Sequence, residues 1–458
     1  MATERMEQDN EMEQDQGPET VFEDQISELP DAIILHILSF LPTLYAVRMS
    51  LLSKRWRRMW TMVPVLDFCD SRDICYFRGR DERNNGRRKF YKFVNECLKH
   101  PFADTAISKF KLSMEYYGGS SRMDCWLRFP VEKYVKELDL YVRSRRSLYY
   151  LPHFMLHLRS LTLLKLDGLA LEIPVPTSLP SLKELYLLNI QMDDKVLNNL
   201  LLSCTSIEKL HVNYCDGLLS PKVSSLSLKS MEFITGGLHC YCRTIEVEAI
   251  NLQSFVHSGA FYSKKCDMNL VHCRAIRNLS LVEMFLTDQW LEDLIPQLPF
   301  LESLELKDCC GLQHVKIWNQ HLKNFVFTLR GRWDSLEATI DTPNLLSFSY
   351  SGNSMFKISV NAPNLSDVAI RVPDYLRKTY DEDWYASLIK FLSEFNGSKK
   401  IYIFSCNEKA LIIPDEVKKM YSSPLPELEH VKVRTGGRPF RKAMLRKSLL
   451  WIAPRYCQ

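Results

Sequence analysis

The chain has 458 residues, 46% of them hydrophobic, and its 59 Lys and Arg against 55 Asp and Glu leave a net charge of +4. That length holds two or three domains with a sizeable core, and so small an excess removes any general case for nucleic-acid binding. The 14 cysteines are scattered, no secretory apolar region opens the chain, and no run nears the ~18 apolar residues of a membrane span, so free thiols in a reducing compartment (cytoplasm or nucleus) are expected.

From Met1 to Glu28 there are ten acidic residues and one arginine. Residues 1–23 are therefore predicted to be a disordered acidic tail. The stretch Ile26 to Trp60 then reads as three short helices, from about Pro30 to Phe40, Thr43 to Ser53 and Lys54 to Trp60. On the first, Ile34, Ile37, Leu38 and Leu41 form one stripe, widened by Ile33 and Phe40 and on the other side by Leu35. Only Asp31, Ala32, His36 and Ser39 are left for water, which is too much apolar surface for a helix with one neighbour. So few residues cannot bury it alone, and the stretch asks for a partner.

These residues resemble the F-box, the helical module that docks onto a Skp-family adaptor in cullin-based ubiquitin ligases. The resemblance lies in the Leu29-Pro30-Asp31 opening, the run Ile37 to Pro42, and the block Leu52 to Arg57 ending in Trp60. It departs from the plant form at Thr43-Leu44-Tyr45, in the inter-helix turn. The resemblance implies that Leu29, Pro30, Ile34, Leu38, Leu41, Pro42, Val47, Leu52 and Trp56 lie at or just behind an adaptor interface. The domain is expected over 24–66.

Residues 67–89 are charged and carry Gly79, Asn84, Asn85 and Gly86, as a linker would. Phe90, Phe93, Val94, Cys97 and Leu98 have helical spacing, and Ile107, Phe110 and Leu112 suggest the first strand. From there an apolar-x-x-apolar-x-apolar template recurs. Its copies begin at Val135, Leu161, Leu182, Ile207, Val223, Ile276, Leu301, Leu322, Leu345 and Leu365, with a weak copy at Leu252. The mean interval is roughly 23 residues, in the leucine-rich range. Two copies extend to Cys215-x-x-Leu218 and Cys309-x-x-Leu312. Each triplet is a strand whose apolar residues turn inward to a core shared with its neighbours. Asp193 and Thr287 are positioned to cap returning helices, whereas arms marked Thr342-Pro343-Asn344 and Ala362-Pro363-Asn364 are expected to lack one.

The order of these pieces resembles plant F-box proteins with leucine-rich repeats, over roughly residues 24 to 370. The fold class expected is an α+β or α/β solenoid: a three-helix F-box, an irregular repeat solenoid over 90–372, and a C-terminal cap over 373–458. The last region is similar to the FBD-type end of that family, with a basic Arg438–Lys447 stretch in place of an acidic helix.

No catalytic constellation stands out: there is no phosphate-binding glycine loop, H-E-x-x-H or G-x-S-x-G. Cys240 and Cys242 with His239, and Cys266 with His272 and Cys273, lack the second spaced pair of zinc sites, so neither metal nor cofactor is expected. Alternation along the strands nominates a concave surface of Glu184, Tyr186, Lys209, His211, Asn213, Glu305 and Lys307 for a target protein. No basic pocket floor is evident in the repeats. From Lys432 to Arg455 there are eight basic residues and no acid, either a solvated face or a contact for an anionic partner. The resemblance implies a non-catalytic substrate-recognition subunit of a Skp–cullin–F-box ligase, bound through the adaptor to a cullin, with no nucleic acid or membrane. The rival reading is a repeat scaffold with no ligase role, or a small-ligand co-receptor.

Overall fold

The structure is a computed structural model that describes residues 26–457 apart from 27, 71–79, 101, 103–105, 117, 145–146, 174–176, 236–241, 260–265, 330–335, 353–356, 373–378 and 437–441. The expected acidic tail, with His239 and Cys240, lies outside the described residues. The chain folds as two compact units: one runs to Pro64 and includes Phe102, and the other takes Val65–Pro101 and the chain from Ala106 onward.

In the first unit, α1 spans Asp31–Ser39, α2 spans Thr43–Met49 and α3 spans Lys54–Met59. Pro30 and Pro42 stand at the two N-caps, where a missing N–H is no loss. The second helix stops short of the expected Ser53. That residue is extended, and its hydroxyl accepts the Trp56 N–H to cap α3. Ile34, Leu38, Ala46, Trp56, Met59 and Trp60 form the core, with Trp60 edge-on to Phe102 at 5.9 Å between ring centres. The Arg55 guanidinium donates to the Asp31 carboxylate at 2.8 Å and to the Leu29 carbonyl at 2.5 Å. The opening and closing blocks of the motif are thus clamped together.

The second unit is built on one sheet of 15 parallel strands, from Val65–Cys69 at one edge to His430–Thr435 at the other. Parallel neighbours require a returning arm between strands. After Glu184–Leu188 and Asn278–Val282 the arm carries a helix, Asp194–Leu202 and Asp288–Leu294, capped by Asp193 and Thr287 as expected. Arg80–Lys99, Ser120–Glu132 and Glu382–Ser393 are helices in other arms, and further arms pair into two small parallel sheets, one of which joins His314–Trp318, Glu337–Asp341 and Lys357–Asn361. The Pro-Asn arms therefore hold strands rather than bare turns. Their asparagines tie each repeat to the one before: Asn344 Nδ2 donates to the Gln320 carbonyl at 2.8 Å, and Asn364 Nδ2 to the Pro343 carbonyl at 2.9 Å.

Three expectations are corrected here. Val65–Cys69 and a helix, Arg80–Lys99, occupy much of the stretch read as a linker, because Leu66 and Phe68 alternate into the core and Phe90, Val94 and Cys97 bury one helical face. The Val223 copy was framed wrongly. Leu226 is 79% exposed, and the strand is Ser230–Ile234, with Leu228, Met231 and Phe233 buried. The middle positions then run 210, 231, 255 and 279, which makes the repeat more regular. Finally, the region expected as a cap over 373–458 is no separate layer, because its strands join the sheet. Lys400–Ser405 and His430–Thr435 extend it in register, and the helix Glu382–Ser393 lays Phe391 against Tyr350 and Phe395 against Phe348, each 5.3 Å between ring centres.

Two devices repeat. The residue just after a strand is left-handed at Gly168, Asn189, Tyr214, Glu283 and Asp308. At Gly168 the backbone demands glycine twice over, since a Cβ there would lie 2.6 Å from the Val142 carbonyl oxygen. The paired cysteines sit next to this turn. Cys215 Sγ donates to the Leu187 carbonyl at 3.4 Å and Cys309 Sγ to the Leu281 carbonyl at 3.3 Å, each across 28 residues. Burial pushes the Cys309 thiol up to about 12, so it is an inert structural donor.

Candidate functional site

In the first unit the apolar side chains divide between two jobs. Ile34, Leu38 and Trp56, which the motif placed at or behind the interface, are core. Leu29, Leu41, Pro42 and Val47 are half-buried, and Pro30 and Leu52 are exposed. The face turned outward is instead Ile33, Ile37 and Phe40, one stripe at i, i+4 and i+7, with Phe40 74% exposed. The turn after α2 adds Leu51 and Leu52, 80% and 60% exposed. The Phe40 ring packs edge-on to His36 at 4.8 Å. Large exposed apolar side chains concentrated in this way are the kind of surface that protein contacts use.

On the sheet, the alternate side chains that face away from the core lie in rows across the strands. The nominated residues Glu184, Tyr186, Lys209 and His211 form one preassembled cluster. The Lys209 ammonium and the Tyr186 hydroxyl both donate to Glu184, at 2.8 and 2.9 Å, and hold its carboxyl below the usual range. Tyr186 stacks on His211 at 4.4 Å, and Lys165 sits 4.5 Å over the other side of the pair's tyrosine ring system. Asn213 is corrected: it is 8% exposed and bonds Glu232, which removes it from any contact surface. Glu305 is engaged by the Ser280 hydroxyl at 2.6 Å and by Lys307 at 3.7 Å. Charge on this part of the face is thus largely satisfied internally.

The other end of the face differs. A hollow of about 800 Å³ runs from Lys307 past Thr328, Ser349 and Ser351 to Arg371, Tyr402, Phe404, Lys432 and Arg434. Four cationic side chains line it and no carboxylate does, among the described residues. The expectation of no basic pocket is corrected by this feature. Its residues come partly from strands of the expected repeat and partly from strands beyond residue 372, and nothing in the sequence set Lys432 and Arg434 beside Lys307 and Arg371.

The cysteines near the middle of the chain form no metal set among the described residues. Cys273 is buried with its Sγ on the Val247 carbonyl at 3.3 Å. Neighbouring Cys242 and, less strongly, His257 favour the Cys266 thiolate and hold that thiol below the usual range.

Comparison with known proteins decides the architecture. Residues 26–78 match the F-box domain model, and residues 123–275 match the model of the LRR repeats of FBD-associated F-box protein At5g56370. The chain carries an F-box and leucine-rich repeats. Its relatives in Arabidopsis thaliana include F-box/FBD/LRR-repeat protein At5g56420, 33% identical over 47% of this chain and 51% of the relative. Putative F-box/FBD/LRR-repeat protein At5g22670 is 35% identical over 46% and 45%, and F-box protein At3g59000 is 29% identical over 76% and 68%. The chain spans about half the length of the first two. The F-box match takes in the clamped opening and the exposed Ile33–Ile37–Phe40 stripe, and the repeat match takes in the Glu184–His211 cluster. The basic hollow lies beyond it.

Proposed function

We propose that this chain is the substrate-recognition subunit of a Skp–cullin–F-box ubiquitin ligase, working in the cytoplasm or nucleus. The F-box docks a Skp-family adaptor, which links it to a cullin, and the concave face of the repeats holds a target protein. The observation that carries the reading is the outward stripe of Ile33, Ile37 and Phe40 on a unit whose core is already complete without it. Burying such side chains on a partner is worth roughly 1.5–3 kcal/mol each. This chain makes and breaks no covalent bond in the reading. It raises the effective concentration of target lysines near a ubiquitin-charged enzyme.

The test is co-purification of the full chain with a plant Skp-family adaptor and cullin, beside Ile37→Asp with Phe40→Asp. A stoichiometric complex with wild type that the double variant fails to form supports the assignment. Wild type that stays free of the adaptor would refute it.

A further inference from the structure

The basic hollow at the C-terminal end of the concave face has a chemistry that the rest of the face lacks. We propose that it binds an extended acidic polypeptide segment, and, resting on the reading above, that this segment belongs to the target.

Register sets the geometry. Ala369, Tyr402 and Lys432 are aligned across three neighbouring strands, and so are Arg371, Phe404 and Arg434. The Arg371 guanidinium lies 4.2 Å from the centre of the Phe404 ring, a contact that keeps its charge at the hollow. Tyr402 is 44% exposed beside them. Between this group and Lys307 the outward residues are Thr328, Ser349, Ser351 and Ala369, all small, and their size is what opens the hollow. The floor is fixed as well: the Tyr350 hydroxyl lies so close to Gly352 that a Cβ there would meet it at 2.1 Å.

The span identifies the occupant. Lys307 and Arg434 are separated by five strand steps, about 24 Å along the sheet. A phosphate or another compact anion touches one end only. An extended peptide rises ~3.3 Å per residue, so about seven residues reach from one cation to the other. Hydroxyls along the hollow suit a peptide backbone, and four cations without a lining carboxylate call for acidic side chains. Lys307 shares its charge with Glu305 at 3.7 Å, longer than the 2.8 Å of the Lys209–Glu184 pair elsewhere on the face, so Arg371, Lys432 and Arg434 carry most of the attraction.

Fluorescence anisotropy of the full chain with a labelled hepta-glutamate peptide tests this, against hepta-glutamine and an oligothymidylate of equal charge. Saturable binding of the glutamate peptide is expected, weakening as salt rises. The combined Arg371→Gln, Lys432→Gln and Arg434→Gln variant should lose at least tenfold in affinity. Lys195→Gln, Lys390→Gln and Lys419→Gln together, which remove equal charge at exposed sites off the sheet, should lose less than twofold. Should the triple variant unfold by circular dichroism, Arg434→Gln alone is measured, with at least a threefold loss expected. No binding, equal losses in the two variants, or tighter binding of the oligothymidylate each overturn the proposal. Adaptor capture is read separately. Capture without peptide affinity sinks this inference alone, and peptide affinity without capture sinks the ligase reading alone.

Discussion

Leu38, in the last turn of α1, and Phe40, at its C-cap, lie two residues apart and serve opposite ends. Leu38 is fully buried, whereas Phe40 is 74% exposed. Leu38→Ala should destabilise the F-box by about 2–5 kcal/mol, as deletion of a buried leucine does. Phe40→Ala should leave stability within ~0.5 kcal/mol while weakening adaptor binding at least tenfold, about 1.4 kcal/mol. Denaturant unfolding and titration with adaptor separate the two effects. Residue-scale strain allows a second test. Gly168→Ala places a methyl against the Val142 carbonyl in a left-handed turn, and should cost roughly 1–3 kcal/mol. A wild-type midpoint in thermal unfolding would remove that argument.

At the scale of elements, the repeat is held by contacts that reach one turn ahead and recur along the chain. Asp194, in the first turn of its helix, accepts the amides of Leu219 and Ser220 at 3.1 and 2.9 Å. Asp288 accepts those of Gln313 and His314, both at 2.9 Å, across the same 25 and 26 residues. Asp288→Ala should therefore cost about 1–3 kcal/mol, with faster hydrogen exchange confined to Gln313, His314 and their neighbours. Protection unchanged at those amides would show the carboxylate to be idle. Much of this architecture was legible beforehand, because an inward strand triplet must be apolar wherever it falls, and both capped helices announce themselves by Asp193 and Thr287 ahead of leucines. The Ser230–Ile234 strand was missed because Val223, Leu226 and Leu228 mimic the template one step early, and only burial distinguishes them. The outward stripe of α1 was visible as surplus apolar surface, but which half of that surface faces out depends on where α3 packs. The basic hollow was illegible for a different reason: its cations are far apart in sequence and meet only through strand register.

Across the whole molecule, lysine–glutamate pairs stitch neighbouring repeats. Lys209 holds Glu184, Lys229 holds Glu208, Lys222 holds Glu248, Lys323 holds Glu302 and Lys357 holds Glu337 below the ordinary glutamate range, and Lys418 does the same for Asp415. A carboxylate with a lowered folded value contributes stability above its unfolded pKa and loses it as pH falls through the folded one. Burial shifts Asp139 and Asp167 upward, so they act in the opposite sense and are relieved by protonation. Among the described residues, six lowered carboxylates against two raised ones predict that unfolding midpoints are level near neutrality and drop as pH falls below the ordinary glutamate value of 4.5. A midpoint that rises on acidification would contradict the count. These pairs are exposed, and high salt should flatten the dependence.

The central claim is that a folded F-box presents Ile33, Ile37 and Phe40 to a Skp-family adaptor. The most direct measurement is calorimetric titration of purified adaptor into the full chain, wild type and Ile37→Asp/Phe40→Asp, with circular dichroism on both. The account predicts one-to-one binding by wild type and at least a hundredfold weaker binding by a variant of unchanged fold. Equal affinity of the two proteins, or no heat of binding from folded wild type, would contradict it.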